Sequence, residues 1–393
     1  MQRYELPDHQ EISPSFWRRH GWWLIPIIVI DVVAVSWWLL RRGKVDAENE
    51  RPAIHAASNM APSTHVDHEP AAPPPAEPPG LVFGFPTPQQ QLLMTNSEGI
   101  YMPTASGRLE SALYGTVRTS QQGKHLLPSF HEGLDIAPTG RDRRQMPTDP
   151  ILAVANGRVA YVNHIAGNSN YGKYIVLLHD DPLGEIYTLY AHMADIAPEM
   201  RPGRIVTRGD RLGLMGNSAS SAIPVARAHL HFEIGIVNNL RFQQWYRAQK
   251  LKPDHGNFHG HNLTGINPLD VFSAQERQGS FSMLSYLRNL PPAFEVVFRA
   301  PRIPDYFVRY PALWGGGRTG GVLTMTVSEG GVPLSARMAS ESEKSALGNR
   351  DHHILRADEN VLGRNGLRLV VKRQEQWVLG RNGERWLEIL TYH

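Results

Sequence analysis

The segment RAHLHFEI, from Arg227 to Ile234, sets two imidazoles two residues apart. In an extended chain, side chains at i and i+2 leave the same face. His229 and His231 therefore project together, while Leu230 and Phe232 turn the other way. The chemistry open to such a pair is metal ligation by neutral imidazole, with zinc the natural ion; the plain alternative is a solvated polar face. Upstream, PSFHEGLDIAP places His131 four residues before Asp135. That spacing shares a face on a helix, but Pro128, Gly133 and the Ile-Ala-Pro that follows argue against helix. The reading is a loop carrying His131 that runs into a strand carrying Asp135. His131, Asp135 and one histidine of HLH make a His₂Asp set, and a catalytic zinc takes three protein ligands and leaves a fourth position open. YTLYAHM adds His192 near the end of a strand. A lone histidine there is ordinarily a surface residue; it gains weight from lying between the other two motifs.

The chain of 393 residues has no cysteine, so disulfides, thiolate zinc sites and a cysteine nucleophile are excluded, and any metal must sit on His, Asp or Glu. The net charge of +3 is too near neutral to argue for nucleic acid, and no nucleic-acid partner is expected. The elements that must carry the histidines are short apolar or alternating runs: ILAVANGRVAYV (151–162), KYIVLLHD (173–180), EIYTLYAHM (185–193) and HLHFEIGIV (229–237). Strands and helices do not alternate, so a mainly β, antiparallel sheet or roll is expected over residues 89–275 rather than a doubly wound parallel sheet. RFQQWYRAQK (241–250) reads as one short helix. Residues 280–393 read as a second, small β-rich domain. The hexapeptide VLGRNG occurs there twice, at 361–366 and 378–383, and Asn382-Gly383 between two strand-like runs predicts a type I′ hairpin. This second domain lacks a His/Asp/Glu set at ligand spacing and is expected to supply no metal ligand.

Before the folded part, residues 1–20 read as a short tail, and the basic residues on both sides of the span that follows barely distinguish its orientation. Gly21 to Leu40, GWWLIPIIVIDVVAVSWWLL, has the length of a transmembrane helix and carries paired tryptophans at both ends. Asp31 in mid-span costs about 2.5–3.5 kcal/mol on insertion scales, too little to overturn the reading. Residues 41–88 are rich in Pro and Ala without hydrophobic periodicity and read as a flexible linker, with a reach on the order of 40 Å.

Taken in order, HEGLD, YAH and HLHFE resemble the motifs of the lysostaphin/LytM-type zinc endopeptidases. YGTVR (114–118), ILAVANGRVAYV and GINPLD (265–270) agree as well, so the resemblance runs from roughly Gly107 to Asp270. It implies the LytM-like β-sheet fold, with one zinc held by His131, Asp135 and His231 and with His192 and His229 as catalytic histidines that do not bind it. Glu233, on the face of His229 and His231, is expected to support the site, and Glu132 to point away from the metal. The implied substrate is the peptide crosslinks of bacterial peptidoglycan. That implies a single-pass protein with the folded part on the periplasmic side of the cytoplasmic membrane and residues 1–20 as a cytoplasmic tail. The C-terminal domain is the candidate surface for a protein partner. GNSASSAIPVARAHLHF is longer than the corresponding turn of the family and lacks its Gly-Pro, so substrate preference does not transfer. The alternatives are a catalytically silent LytM-like regulator of wall hydrolases, against which all five filled positions speak, and an HxH oxygenase of the cupin kind, against which the upstream HxxxD speaks.

Overall fold

The computed structural model describes residues 80–94 and 98–393. The expected tail and membrane span, and the linker as far as residue 79, lie outside the described residues. No described helix is long and apolar enough to cross a membrane. The described residues fall within one compact unit, Pro75–His393.

The strands of the first part are β1 (Gly115–Gln122), β2 (His125–His131), β3 (Leu134–Ile136), β4 (Pro150–Leu152), β5 (Gly157–Asn163), β6 (Tyr174–Asp181), β7 (Gly184–Ala191), β8 (Asp195–Ile196), β9 (Ile205–Val206), β10 (Arg211–Leu214), β11 (Leu230–Val237) and β12 (Leu263–Ile266). They pair antiparallel, as expected. The main sheet runs β12-β11-β7-β6-β5-β9, with β3 also on β11, while β4-β10-β8 and the β1–β2 hairpin form smaller sheets. The period of two explains why the main sheet can be buried on both sides. On β6 and β7, Ile175, Leu177, Ile186 and Tyr190 join the large core. The alternate positions Tyr174, Val176, Tyr187, Leu189 and Ala191 form a second apolar layer with Tyr161, Tyr171 and Phe258 on the opposite face. On β11, Leu230, Phe232, Ile234 and Ile236 enter the large core, which sends His231, Glu233 and Gly235 to the other face.

Two expectations about local structure are corrected here. His131 ends a strand, not a loop. Pro128 does not break β2, because β2 pairs on one side only, with β1, and a strand edge tolerates the missing N–H. The linker also ends earlier than residue 88. Phe83 and Phe85 pack edge-on against Phe281 and Phe272, and Gln275 bonds the Phe83 backbone through its carboxamide. Two aromatic side chains among the prolines bury enough surface to seat that stretch. The short helix expected over 241–250 forms at Phe242–Ala248.

The last hundred residues form β13 (Phe294–Ala300), β14 (Gly321–Val327), β15 (Pro333–Met338) and β16 (His352–Ala357) in the order β15-β14-β13-β16, then the hairpin of β17 (Val370–Arg373) and β18 (Gln376–Leu379). Helices are interspersed, so this region is mixed rather than simply β-rich. The hairpin expected at Asn382-Gly383 is absent: Arg381–Thr391 is a helix, burying Trp386, Leu387, Ile389 and Leu390. The turn falls instead at Gln374 and Glu375, both left-handed with φ 49° and 63°. The two VLGRNG copies thus differ in structure. The first leaves a helix end at Leu362, and the second leaves a strand and enters a helix.

This region shares one continuous apolar core with the first part, from Leu134 and Phe232 through Phe272 and Phe281 to Phe298 and Trp386. It also grips the β1–β2 hairpin. Thr116 donates to Glu329 at 2.8 Å, the Gly366 N–H donates to Thr116 at 3.0 Å, and Arg368 donates to the Pro128 carbonyl at 2.7 Å. Gly366 lies so close to this hairpin that an added Cβ would stand 2.8 Å from the Phe130 nitrogen and the Ser129 carbonyl carbon. Those are backbone atoms and cannot yield cheaply. Gly366→Ala is therefore expected to destabilise the protein by about 1–3 kcal/mol through overpacking, read as a lower urea midpoint with unchanged slope.

Candidate metal centre

Register brings the predicted residues together. His231 on β11 stands directly opposite Asp135 on β3, and opposite Ala191, the last residue of β7, on its other side. Directly opposed residues of an antiparallel pair share a face, so Asp135 and His231 meet without any loop to aim them. His131 ends β2, across from Gly115 of β1. His192 follows the end of β7 in a left-handed conformation, φ 60°, which turns its side chain back over the sheet. His229 precedes β11, bridged to Gly216. All five predicted site residues therefore lie in one place.

Each imidazole is held by one nitrogen. His131 donates from Nδ1 to the Leu113 carbonyl at 2.7 Å, His192 from Nδ1 to Ser218 at 2.9 Å, and His229 from Nδ1 to Arg227 at 2.7 Å. His231 instead uses Nε2, which donates to Glu233 Oε1 at 2.9 Å. The second nitrogens of three rings point at one oxygen: His131 Nε2 lies 3.2 Å, His231 Nδ1 3.0 Å and His229 Nε2 3.5 Å from Asp135 Oδ1. His131 Nε2 and His231 Nδ1 are themselves 3.0 Å apart. The fourth ring, His192, lies 4.8 Å centroid to centroid from His229 and 5.9 Å from His231.

Burial and the close pairing of these groups set the electrostatics between them. Burial lowers the pKa of His131, and it lowers His192 to about 3 with help from the neighbouring His229 and His231, so both rings are neutral at neutral pH. Burial opposes ionisation of Asp135, but the histidines around it outweigh that and hold the carboxyl well below its usual range. For His231, burial favours the neutral ring, yet the hydrogen bonds to Asp135 and Glu233 raise it to about 9.

The donor set fits a metal. His131, Asp135 and His231 are buried, and their ligand atoms lie within 4.8 Å of one another. Two imidazole nitrogens and one carboxylate oxygen suit zinc, and tying the distal ring nitrogen to a protein acceptor fixes the tautomer a ligand needs. Among the described residues, the group consists of His131, Asp135 and His231.

The structure adds partners to this site that the sequence did not show. Glu233 is buried at the centre of a network, accepting from Tyr171 at 2.7 Å and from Tyr187 at 2.7 Å as well as from His231. Its place beside the histidines was legible from the alternation, but its tyrosine partners come from other strands and loops and carry no local signal. Arg118, within YGTVR, donates to Asp135 Oδ2. Glu132 lines a cavity of about 230 Å³ whose far wall includes Arg385, Trp386 and Ile389.

These features define a buried His₂Asp centre on a β-sheet, able to hold a metal ion. Peptidase family M23 matches residues 129–243, a span that holds all five predicted site residues. Lipoprotein NlpD of Yersinia enterocolitica is 33% identical over 97 residues, covering 24% of this chain and 88% of that protein. An uncharacterized metalloprotease of Haemophilus influenzae is 33% identical over 105 residues, 25% of this chain and 20% of that protein, so the chain matches only a fifth of that relative's length. Among solved structures, the catalytic domain of the antimicrobial peptidase lysostaphin from Staphylococcus simulans is similar at 17% identity, with 41% of this chain and 89% of that one covered and a TM-score of 0.26. The chain belongs to peptidase family M23.

Glu233→Ala would leave two tyrosine hydroxyls and the His231 N–H without their acceptor. It is expected to cost about 2–4 kcal/mol of stability and to weaken zinc binding about 10–100-fold, while Glu233→Gln, which keeps an acceptor oxygen, recovers part of both. Urea unfolding and chelator competition measure the two effects.

Proposed function

We propose that this protein is a zinc-dependent endopeptidase that hydrolyses peptide crosslinks of bacterial peptidoglycan. His131, Asp135 and His231 are its ligands, and His192 and His229 are its catalytic histidines. The observation that carries this reading is the convergence of ring nitrogens on Asp135 Oδ1, each ring tied at its other nitrogen to a protein acceptor. A solvated polar face would be neither buried nor so fully tethered.

What a bound zinc supplies is Lewis acidity, which polarises the scissile carbonyl and brings the pKa of water toward neutrality. The chain's own residues do the rest. His192 and His229 both present Nε2, because both commit Nδ1–H to a backbone carbonyl. One accepts the proton of the attacking water at Nε2; the other donates to the developing oxyanion or to the leaving amine, which requires that its Nε2 first be protonated to the imidazolium. Asp135, ionised by its surroundings, supplies the negative charge that a divalent ion requires. The peptidoglycan substrate is drawn from the family likeness. With Gly21 to Leu40 as an anchor and the Pro-rich stretch as a tether, the site would work on the periplasmic face of the cytoplasmic membrane. The complete set of five residues favours an enzyme over a silent regulator of other wall hydrolases.

His231→Ala is expected to lose zinc and activity together. His229→Ala should retain zinc and lose activity about 10²–10⁴-fold. Plasma mass spectrometry for zinc, with mass spectrometry of peptidoglycan digests for cleavage, separates the outcomes. A wild-type protein that holds no zinc and cuts no muropeptide would replace the enzyme reading with the regulator.

A further inference from the structure

Arg118 is the one strong cation in contact with the candidate ligands among the described residues, and the mechanism above leaves it without a role. Its Nη2 donates to Asp135 Oδ2 and lies 3.1 Å from His131 Nε2, while its Nε donates to the Ser111 carbonyl at 2.7 Å. The side chain is three-quarters buried. Strand register explains its aim: Arg118 of β1 stands opposite Ser129 of β2, and His131 is two residues further along that strand on the same face. The hairpin carrying both residues is gripped from outside by Glu329, Gly366 and Arg368.

The two carboxylate oxygens of Asp135 are thereby divided. Oδ1 faces the three histidines, and Oδ2 is taken by the guanidinium. We propose that Arg118 is a positioning residue for the metal, holding Asp135 through its outer oxygen so that the carboxylate offers a single oxygen to the ion. This inference rests on the proposed zinc site. A divalent ion and the guanidinium cannot both use the in-plane lone pair of His131 Nε2, so on metal binding Arg118 gives up that contact and keeps Oδ2. Two effects of the arginine oppose each other. Its charge repels the incoming ion, whereas its hold on Asp135 fixes the ligand before the ion arrives. The Nε anchor at Ser111 and the division of the carboxylate point to the second effect as the larger.

The test uses the full-length protein, with zinc affinity measured by chelator competition and cobalt substituted as a spectroscopic probe. Arg118→Gln is expected to weaken zinc binding about 10–100-fold, the usual effect of losing a partner that orients a metal ligand. Its cobalt form should show weaker visible bands than the wild type, because Oδ2 then joins the ion and raises the coordination number. Arg118→Lys keeps the charge but cannot reach both Ser111 and Asp135, so it should fall between the two. Unchanged zinc affinity with an unchanged cobalt spectrum in Arg118→Gln overturns the proposal, and tighter binding overturns it in favour of competition by the guanidinium. If Arg118→Gln does not fold, the same comparison on Arg118→Lys decides. Failure of the wild type itself to bind zinc would sink the proposed function, and the role of Arg118 with it; wild-type binding that Arg118→Gln leaves untouched sinks the role of Arg118 alone.

Discussion

Asp135 is buried and ionised, and the site is organised around that one charge. A carboxylate in an apolar interior is costly unless it is paired and hydrogen-bonded. Here the cost is offset by three imidazoles on one oxygen and a guanidinium on the other. Each partner is in turn tethered: the histidines to Leu113, Arg227 and Glu233, and the arginine to Ser111. Glu233 extends the pattern one step further through Tyr171 and Tyr187. The result is a polar network between two apolar layers in which orientation is fixed by protein groups.

The same constraint explains why the site lies where strands meet. β3 is three residues long and buried throughout. It pairs with β11 so that Asp135 and His231 are directly opposed. One residue of slip would send Asp135 into the large core and Leu134 or Ile136 into the site. Leu134 and Ile136, both fully buried in that core, lock the register by the apolar surface they would otherwise expose.

Much of this was legible in the chain. HLHFEIGIV shows its alternation openly, so the shared face of His229, His231 and Glu233 could be read directly. The opposition of Asp135 and His231 could not, because the pairing joins residues 96 apart and no local pattern encodes such a register. The strand ending at His131 was hidden by Pro128, which breaks an interior strand but not an edge. Asn382-Gly383 misled for a related reason. The dipeptide favours a hairpin in isolation, but packing of Trp386, Leu387, Ile389 and Leu390 against the core imposes a helix, and Gly383 is needed there for its small size, since a Cβ would stand 2.0 Å from the Leu369 carbonyl oxygen. Arg118 was visible as part of YGTVR, yet its target lies on another strand.

The grip on the β1–β2 hairpin has a bearing on how the molecule is made. Its hydrogen bonds join residues 213, 250 and 240 positions apart. A ribosome has finished every candidate ligand by His231 while Glu329, Gly366 and Arg368 are still unwritten. The hairpin that bears His131 and Arg118 is therefore braced only after those later residues have been added. Because the entropy of closing a loop grows only with the logarithm of its length, so late a closure costs little more than an early one. It also means that the newborn chain carries its chemistry-bearing side chains well before it carries the structure that steadies them.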